Sequence, residues 1–135
     1  MADTILVVDD NEDVARITAK FLRAKGYGVL VASDGPRALE LVAEQRPTCI
    51  LLDIMMPAMS GLEVLSRLRQ DPATAGIPII LVTAKTRDED VLTGYKEGAD
   101  YYIPKPFSSE QLLYGVRLVL GQLEKEAPAR RPSQQ

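Results

Sequence analysis

Short apolar runs alternate with longer amphipathic segments along the chain, and this alternation restricts the possible folds more than any other feature. Each apolar run is rich in β-branched residues and too short to be a buried helix, which predicts a strand. The five predicted strands are Thr4–Val8, Val29–Val31, Thr48–Leu52, Pro78–Val82 and Tyr101–Ile103. The segments that follow them carry apolar residues at helical spacing. The predicted helices are Val14–Lys25, a helix opened by Ser33–Pro36, Leu62–Arg69, Arg87–Glu97 and Ser108–Glu124.

The strand pattern predicts the fold class. The strands are apolar without alternation, which is typical of strands buried on both faces. Strands that alternate with helices favour a parallel sheet with right-handed crossovers. Five such units are too few for an eight-stranded barrel. We therefore predict an α/β fold with a doubly wound, five-stranded parallel sheet, (βα)5. The pattern leaves the strand order open, although 2-1-3-4-5 is one of the two common orders.

Two helices show which side chains should face the core. The first has its apolar residues on one stripe, and so does the last. The predicted inward residues are Val14, Ile17, Phe21 and Leu22 in the first helix, and Leu112, Leu113, Val116, Val119, Leu120 and Leu123 in the last.

Length and charge indicate one folded unit. The chain has 135 residues, and residues 1–123 contain all the predicted elements. Residues 124–135 have two prolines and no large apolar side chain, which predicts a flexible C-terminal tail or a truncated linker.

The 16 basic and 19 acidic residues show no basic excess, so we expect no direct contact with nucleic acid. With neither a membrane-length apolar stretch nor a signal segment, we expect no membrane contact and a cytoplasmic location.

Two residue counts exclude whole classes of chemistry. The chain has no histidine, which removes histidine triads, imidazole metal sites and phosphohistidine. It has one cysteine, so it forms no internal disulfide and no thiolate metal cluster. That cysteine, Cys49, lies in an apolar run and is predicted to be a buried core residue.

Polar side chains follow four of the predicted strands, where ligands bind in open α/β sheets. These residues are Asp9 and Asp10 after the first strand, Asp53 after the third, Thr83 after the fourth, where the small Ala84 comes next, and Lys105 after the fifth. Three carboxylates at one sheet edge repel each other, and a divalent cation with oxygen ligands, such as Mg²⁺, relieves that repulsion. A carboxylate can also accept a phosphoryl group as an aspartyl phosphate.

This chemistry suggests a division of roles. Asp53 stands alone at the centre of the sheet and is the candidate nucleophile, whereas Asp9 and Asp10 are the candidate metal pair. Lys105 and Thr83 could balance the charge of a phosphoryl group. Each residue also has an ordinary alternative, since an aspartate often caps a helix or turn and a lone threonine or lysine often lies on the surface.

With these pieces in place, the sequence resembles the receiver domain of two-component response regulators, and in particular chemotaxis regulators. The matching motifs are Val7–Asp10, Leu52–Gly61, Val82–Ala84 and Lys105–Phe107. The spacing also matches, with 30 residues from Asp53 to Thr83 and 22 from Thr83 to Lys105. The resemblance extends from residue 4 to about residue 123. It assigns residues 1–123 to a receiver domain and implies the strand order 2-1-3-4-5.

The resemblance implies how the site works. Asp53 would be the phosphoacceptor, phosphorylated by a partner histidine kinase or histidine phosphotransfer protein. Asp9, Asp10, Asp53 and the backbone carbonyl of Met55 would hold Mg²⁺. Lys105 would pair with the phosphoryl group next to a cis bond to Pro106.

It also implies a switch. Thr83 would hydrogen-bond a phosphoryl oxygen, the small Ala84 would leave room for it, and Tyr102 would be the aromatic switch residue. The switch would alter a face formed by the fourth helix, fifth strand and fifth helix, whose output partner the resemblance leaves unknown. Such a domain is a phosphorylation switch that assists its own phosphorylation and dephosphorylation, not an enzyme on outside substrates. From the residues alone, Tyr101 and Tyr102 remain equal candidates, because neighbouring strand residues point to opposite faces.

The sequence departs from the family pattern at positions that affect dimerisation and at positions that affect the lifetime of the phosphoryl group. Members that dimerise through charged residues on that face usually have Asp, Glu and Arg where this chain has Tyr101, Gln111 and Gly115. We therefore expect a monomer or a weak dimer. Gly115 lies inside the last predicted helix, where glycine is unfavourable, and so marks close packing or a partner site. Met55 and Lys85 occupy positions that tune the phosphoryl lifetime in the family.

Two other function classes stay open. An aspartyl-phosphate phosphatase or phosphotransferase acting on external substrates would use the same Asp, Lys, Thr and magnesium. Such enzymes usually have a second carboxylate soon after the nucleophile, and residues 54–59 contain none. A flavodoxin-like mononucleotide binder shares the fold, but Asp9 and Asp10 would repel a phosphate where its phosphate loop should lie.

Overall fold

The central element is a five-stranded parallel sheet. The computed structural model describes residues 3–84 and 93–123. The strands are β1 (Thr4–Val8), β2 (Gly28–Ala32), β3 (Cys49–Asp53), β4 (Ile79–Thr83) and β5 (Tyr101–Pro104). They pair in the order β2-β1-β3-β4-β5, and every pairing is parallel. The predicted fold class and the order implied by the resemblance are both confirmed.

Helices follow the strands, with bounds close to those predicted. They are α1 (Glu12–Ala24), α2 (Gly35–Gln45), α3 (Gly61–Gln70), α4, described over residues 93–96, and α5 (Ser109–Val119). The predicted fourth helix spans 87–97, of which 87–92 lie outside the described residues. Gly98 has a φ of 108°, a conformation that favours glycine and ends α4 where the sequence predicts.

Side-chain caps determine where the helices begin. The first orphan backbone N–H groups of a helix need acceptors, and Asn, Asp and Ser side chains supply them. The N-cap residues are Asn11 for α1, Asp34 for α2, Ser60 for α3 and Ser108 for α5. Pro36 lies in the first turn of α2, as predicted.

The helices cover both faces of the sheet and bury two apolar cores. The core under α2 and α3 includes Leu6, Ile50 and Leu81. The core under α1 and α5 includes Ile5 and Ile80. Successive residues of one strand thus enter different cores, which is why the central strands read as continuous apolar runs.

Three burial predictions are wrong. β2 is an edge strand, and Val31 on it is 43% exposed, so this strand is not buried on both faces. Ile17 of α1 is 49% exposed and borders an apolar groove beside Phe107 instead of entering the core. Helix α5 ends at Val119 rather than at residue 124, so Leu123 lies beyond the helix and not on its inward stripe.

Of the remaining predicted inward residues of α1 and α5, Leu22, Leu112 and Val116 are fully buried. Four others, Phe21, Leu113, Val119 and Leu120, are partly buried against the same core. Val14 is half-buried and lines the groove with Ile17. Cys49 is fully buried, as predicted, and burial raises the pKa of its thiol to about 12. Across residues 3–84 and 93–123, no helix combines the length and apolar character that a membrane span requires.

Gly115 marks close packing between α5 and the sheet. Gly115 is buried. A Cβ there would lie 2.9 Å from Ile103 Cδ1 and 3.1 Å from ring atoms of Tyr101. The Tyr101 ring therefore rests on the backbone of α5, with its centroid 6.2 Å from that of Tyr114.

We expect Gly115→Ala to destabilise the protein, although helix propensity alone predicts the opposite by about 1 kcal/mol. Ile103 is 2% exposed and cannot easily move aside, so the added methyl group overpacks the core. The net loss should be about 1 kcal/mol, measured by urea unfolding. Combining it with Ile103→Val, which removes the nearest atom, should reduce that loss. An increase in the free energy of unfolding would contradict the packing argument.

Candidate functional site

The candidate site lies at the carboxyl edge of the sheet. Asp53 is the last residue of β3, and Thr83 is the last residue of β4. Asp9 and Asp10 follow β1 directly, and Lys105 follows β5. Because β1, β3, β4 and β5 are consecutive parallel neighbours, their ends meet at one edge.

An ion-paired cluster forms at this edge. The Nζ of Lys105 lies 2.8 Å from Oδ2 of Asp9 and 3.3 Å from Oδ2 of Asp53. All three of these side chains are largely buried, with 15%, 6% and 4% exposed. Asp10 is exposed, yet one of its oxygens lies within 4.8 Å of oxygens of Asp9 and Asp53. The predicted carboxylates and lysine are therefore brought together.

Backbone N–H groups orient the two buried carboxylates. Oδ1 of Asp9 accepts the N–H of Asn11 at 2.9 Å. Oδ1 of Asp53 accepts the N–H of Met55 at 3.1 Å. Each carboxylate thus uses one oxygen for the backbone and directs the other toward Lys105. Asn11 itself caps α1, so Asp9 is left to the site and is not the helix cap.

Gly61 is needed for the position of Asp53, although it is absent from the predicted site residues. A Cβ at Gly61 would overlap the carbonyl oxygen of Asp53. The Gly61 N–H donates to the carbonyl of Ile54 at 2.9 Å, which holds the start of α3 against the end of β3. The sequence signals for this contact are the glycine directly after the helix-capping Ser60 and its place at the end of the matching motif Leu52–Gly61.

Burial dominates the electrostatics of the site. Desolvation raises the pKa of Asp53 from 3.8 to about 6, reinforced by the charge of Asp9 and opposed by Lys105 and the Met55 N–H. Burial alone would lower the pKa of Lys105, but its bonds to the carboxylates of Asp9 and Asp53 raise it, so the ammonium stays charged. Asp53 is thus a poorly solvated carboxylate next to a permanent cation.

The other predicted residues surround this cluster. Thr83 is buried, and its carbonyl accepts the N–H of Lys105 at 2.8 Å. Ala84 is exposed and lies with Lys105 on the wall of the apolar groove. The Lys105–Pro106 bond is cis, as the resemblance implies. The Met55 side chain is 49% exposed, so this residue faces the site through its backbone.

The two neighbouring tyrosines point to opposite faces of the sheet, as the strand geometry predicts. Tyr102 packs against the core under α2 and α3, whereas Tyr101 packs against the core under α5. Tyr102 is paired with Leu81, two residues before Thr83. Tyr102 and Thr83 are therefore on the same side of the sheet, and Tyr101 is not.

The donor set fits a hard divalent cation. Three carboxylates with oxygens within 4.8 Å of one another form an all-oxygen site, and one of them, on Asp10, is open to solvent. Mg²⁺ prefers oxygen ligands and retains several waters, which an exposed carboxylate permits. The site can therefore accept this ion.

Comparison with known proteins agrees with this geometry. Residues 5–117 match the family described as the response regulator receiver domain. The chain belongs to this family, and it is a receiver domain of a two-component system.

Relatives and solved structures agree on this class. The chain is 43% identical over 126 residues to the DNA-binding response regulator MtrA of Mycolicibacterium smegmatis, covering 93% of this chain and 54% of that protein. It is 40% identical over 128 residues to the phosphate regulon transcriptional regulatory protein PhoB of Pseudomonas aeruginosa, covering 93% and 56%. The chain thus spans about half the length of these relatives. The chemotaxis protein CheY4 of Vibrio cholerae superposes with a TM-score of 0.84 at 31% identity, covering 88% of this chain and 99% of that one.

We expect Asp53→Asn to stabilise the metal-free protein at neutral pH. Because the pKa of Asp53 is raised, this carboxylate is more often protonated in the folded protein than in the unfolded chain between pH 3.8 and about pH 6. The stability contributed by Asp53 is therefore highest at low pH and is lost as the pH rises through this window. A pKa shift corresponds to roughly 1.4 kcal/mol per unit, and water at the mouth of the site reduces this effect. We therefore expect Asp53→Asn to increase the free energy of unfolding by about 1 kcal/mol near pH 7.5.

Unfolding in urea with EDTA, repeated between about pH 4 and pH 7.5, measures this difference. The gain should shrink toward zero at the acid end. Asp13→Asn, a change at an exposed carboxylate, serves as the control. A gain that is the same at every pH would contradict the burial argument.

Proposed function

We propose that Asp53 accepts a phosphoryl group and that the domain acts as a phosphorylation switch. The observation that carries this proposal is the Lys105 ammonium held between the buried carboxylates of Asp9 and Asp53. A single cation beside a poorly solvated carboxylate is suited to a group that brings several negative oxygens. Membership of the receiver family supports the same role.

The phosphoryl donor is a histidine kinase or a histidine phosphotransfer protein, because this chain has no histidine of its own. A carboxylate oxygen of Asp53 attacks the phosphorus of the donor phosphohistidine. The new O–P bond forms as the P–N bond breaks, and the electron pair of that bond returns to the imidazole. Hydrolysis by water later releases phosphate and restores the carboxylate.

The residues around Asp53 then stabilise the phosphoryl group. Lys105 moves its ion pair from the Asp53 carboxylate to a phosphoryl oxygen, and the hydroxyl of Thr83 donates to another. Ala84 leaves space beside them. This division explains why one ammonium and one hydroxyl end two different strands at the same edge.

Asp9, Asp10, Asp53 and the carbonyl of Met55 would hold Mg²⁺. When bound, the ion supplies positive charge that offsets the phosphoryl oxygens and the three carboxylates. Asp9 already has its oxygens oriented by Asn11 and Lys105. The exposed carboxylate of Asp10 leaves the ion accessible from solvent.

The output is a shift between two arrangements. Phosphorylation stabilises one arrangement of Thr83 and Tyr102, and with it one state of the face formed by α4, β5 and α5. This domain makes no direct contact with nucleic acid or membrane, acts in the cytoplasm, and is a monomer or a weak dimer. The name of MtrA records DNA binding for that whole protein, of which this chain matches 54%.

We expect incubation with Mg²⁺ and a small phosphodonor, such as acetyl phosphate, to add one phosphoryl group to the protein. Intact mass spectrometry should show one phosphoryl mass increment, and EDTA should abolish it. Asp53→Asn should show none, because the amide is not a nucleophile. Asp71→Asn, at a carboxylate outside the site, is the matched control and should be modified normally. An unmodified folded wild-type protein would refute the proposal.

We expect Lys105→Met to slow phosphorylation by about 100-fold, the usual effect of removing one preorganised donor. The loss should appear in the modification rate at saturating Mg²⁺, since the three carboxylates remain. Lys20→Met removes an exposed ammonium and should change nothing. A rate within twofold of wild type would show that Lys105 serves only the resting ion pair.

A further inference from the structure

Helix α4 meets the sheet at Gly94. Gly94 is buried, and a Cβ built on it would overlap Cδ1 of Leu81 in β4. The same Cβ would lie 3.8 Å from Cδ2 of Leu62 in α3. The backbone of α4 therefore rests directly on Leu81, at a distance that only glycine permits.

Leu81 connects this contact to the switch residues. It is 1% exposed, so it has no free space into which to retreat. It is paired with Tyr102 on β5 and stands two residues before Thr83 on β4, so all three side chains are on one face. A displacement of Leu81 therefore changes the packing of Thr83, Tyr102 and α4.

The C-terminal end of α4 is held independently. The carbonyl of Gly98 accepts the Nε of Arg69 at 2.9 Å, and the same guanidinium donates to Asp100 Oδ2 at 2.9 Å. The Asp100 oxygen also accepts the N–H of Ile79 at 2.8 Å, at the start of β4. With this end anchored to the sheet, the contact between Gly94 and Leu81 sets the distance from the sheet of the described part of α4, residues 93–96.

We propose that Gly94 is a positioning residue of the switch. Its contact with Leu81 sets the position of α4 on the sheet and stabilises the arrangement of Thr83 and Tyr102 present in the unphosphorylated protein. Any change that removes this contact shifts the population toward the phosphorylated arrangement. The link to phosphorylation rests on the proposed function, whereas the link between Gly94 and Tyr102 does not.

The test exchanges a methyl group between two residues. Gly94→Ala creates an overlap with Leu81, and Leu81→Val removes the methyl on which Gly94 rests. Each single variant should displace α4 from its position on the sheet. The double variant places the methyl of Ala at position 94 into the space left by Leu81 Cδ1 and should restore that position. Gly76→Ala, at an exposed glycine with no atoms within 4 Å, is the matched control.

Tyr102 provides the first readout, without any phosphodonor. In protein labelled with 3-fluorotyrosine, the ¹⁹F resonance that disappears in Tyr102→Phe reports its environment. We expect this resonance to shift in both single variants and to return to its wild-type position in the double variant. The fluorine signal of Tyr27, remote from α4, should stay constant.

Affinity provides the second readout. Beryllium trifluoride with Mg²⁺ imitates a phosphoryl group on a carboxylate. By linkage, each single variant should bind it about threefold more tightly, and the double variant should bind it as the wild type does. If Gly94→Ala does not fold, Leu81→Val and the double variant carry the comparison.

Unchanged Tyr102 resonances and affinities in both single variants would overturn the proposal. So would changes that persist in the double variant, because they would show a general loss of packing rather than the Leu81 contact. A wild-type protein that takes no phosphoryl group would refute the proposed function. The Tyr102 resonance would still test whether the contact between Gly94 and Leu81 positions α4.

Discussion

The ion pair that Lys105 makes with Asp9 and Asp53 is the interaction on which the rest of the site depends. It joins the ends of β1, β3 and β5 through one ammonium, at 2.8 and 3.3 Å. Without that cation, two buried carboxylates would face each other, and burial would keep one of them protonated. With it, Asp53 stays ionised at neutral pH although its pKa is raised to about 6.

Glycine contacts extend this constraint to the helices. Gly61 lets α3 begin directly on the carbonyl of Asp53, and Gly94 lets α4 rest on Leu81. In both places the absence of a side chain allows backbone to lie against the sheet next to a site or switch residue. The helices are thus positioned by the same strands that carry the ion-paired groups.

Much of the site was predictable because parallel strands end at a common edge. Asp9, Asp53, Thr83 and Lys105 could be grouped by reading which residue follows each apolar run. The predictions that failed depend on neighbours that are distant in the sequence. Ile17 has helical spacing for burial, yet none of the elements described in residues 3–84 and 93–123 covers it. β2 is an apolar run like the central strands but lies at the edge of the sheet. The early end of α5, followed by Gly121 at a φ of 73°, was also missed.

The sequence by itself determined the fold class and the chemical groups at the sheet edge, because periodicity and strand ends are local properties of the chain. Only the tertiary structure decided the distances between those groups, the pKa of Asp53, and which of two adjacent tyrosines shares a face with Thr83. It also showed why Gly115, Gly61 and Gly94 are glycines. These properties depend on how closely separate elements approach, and that distance is fixed by packing of the whole core rather than by any single segment.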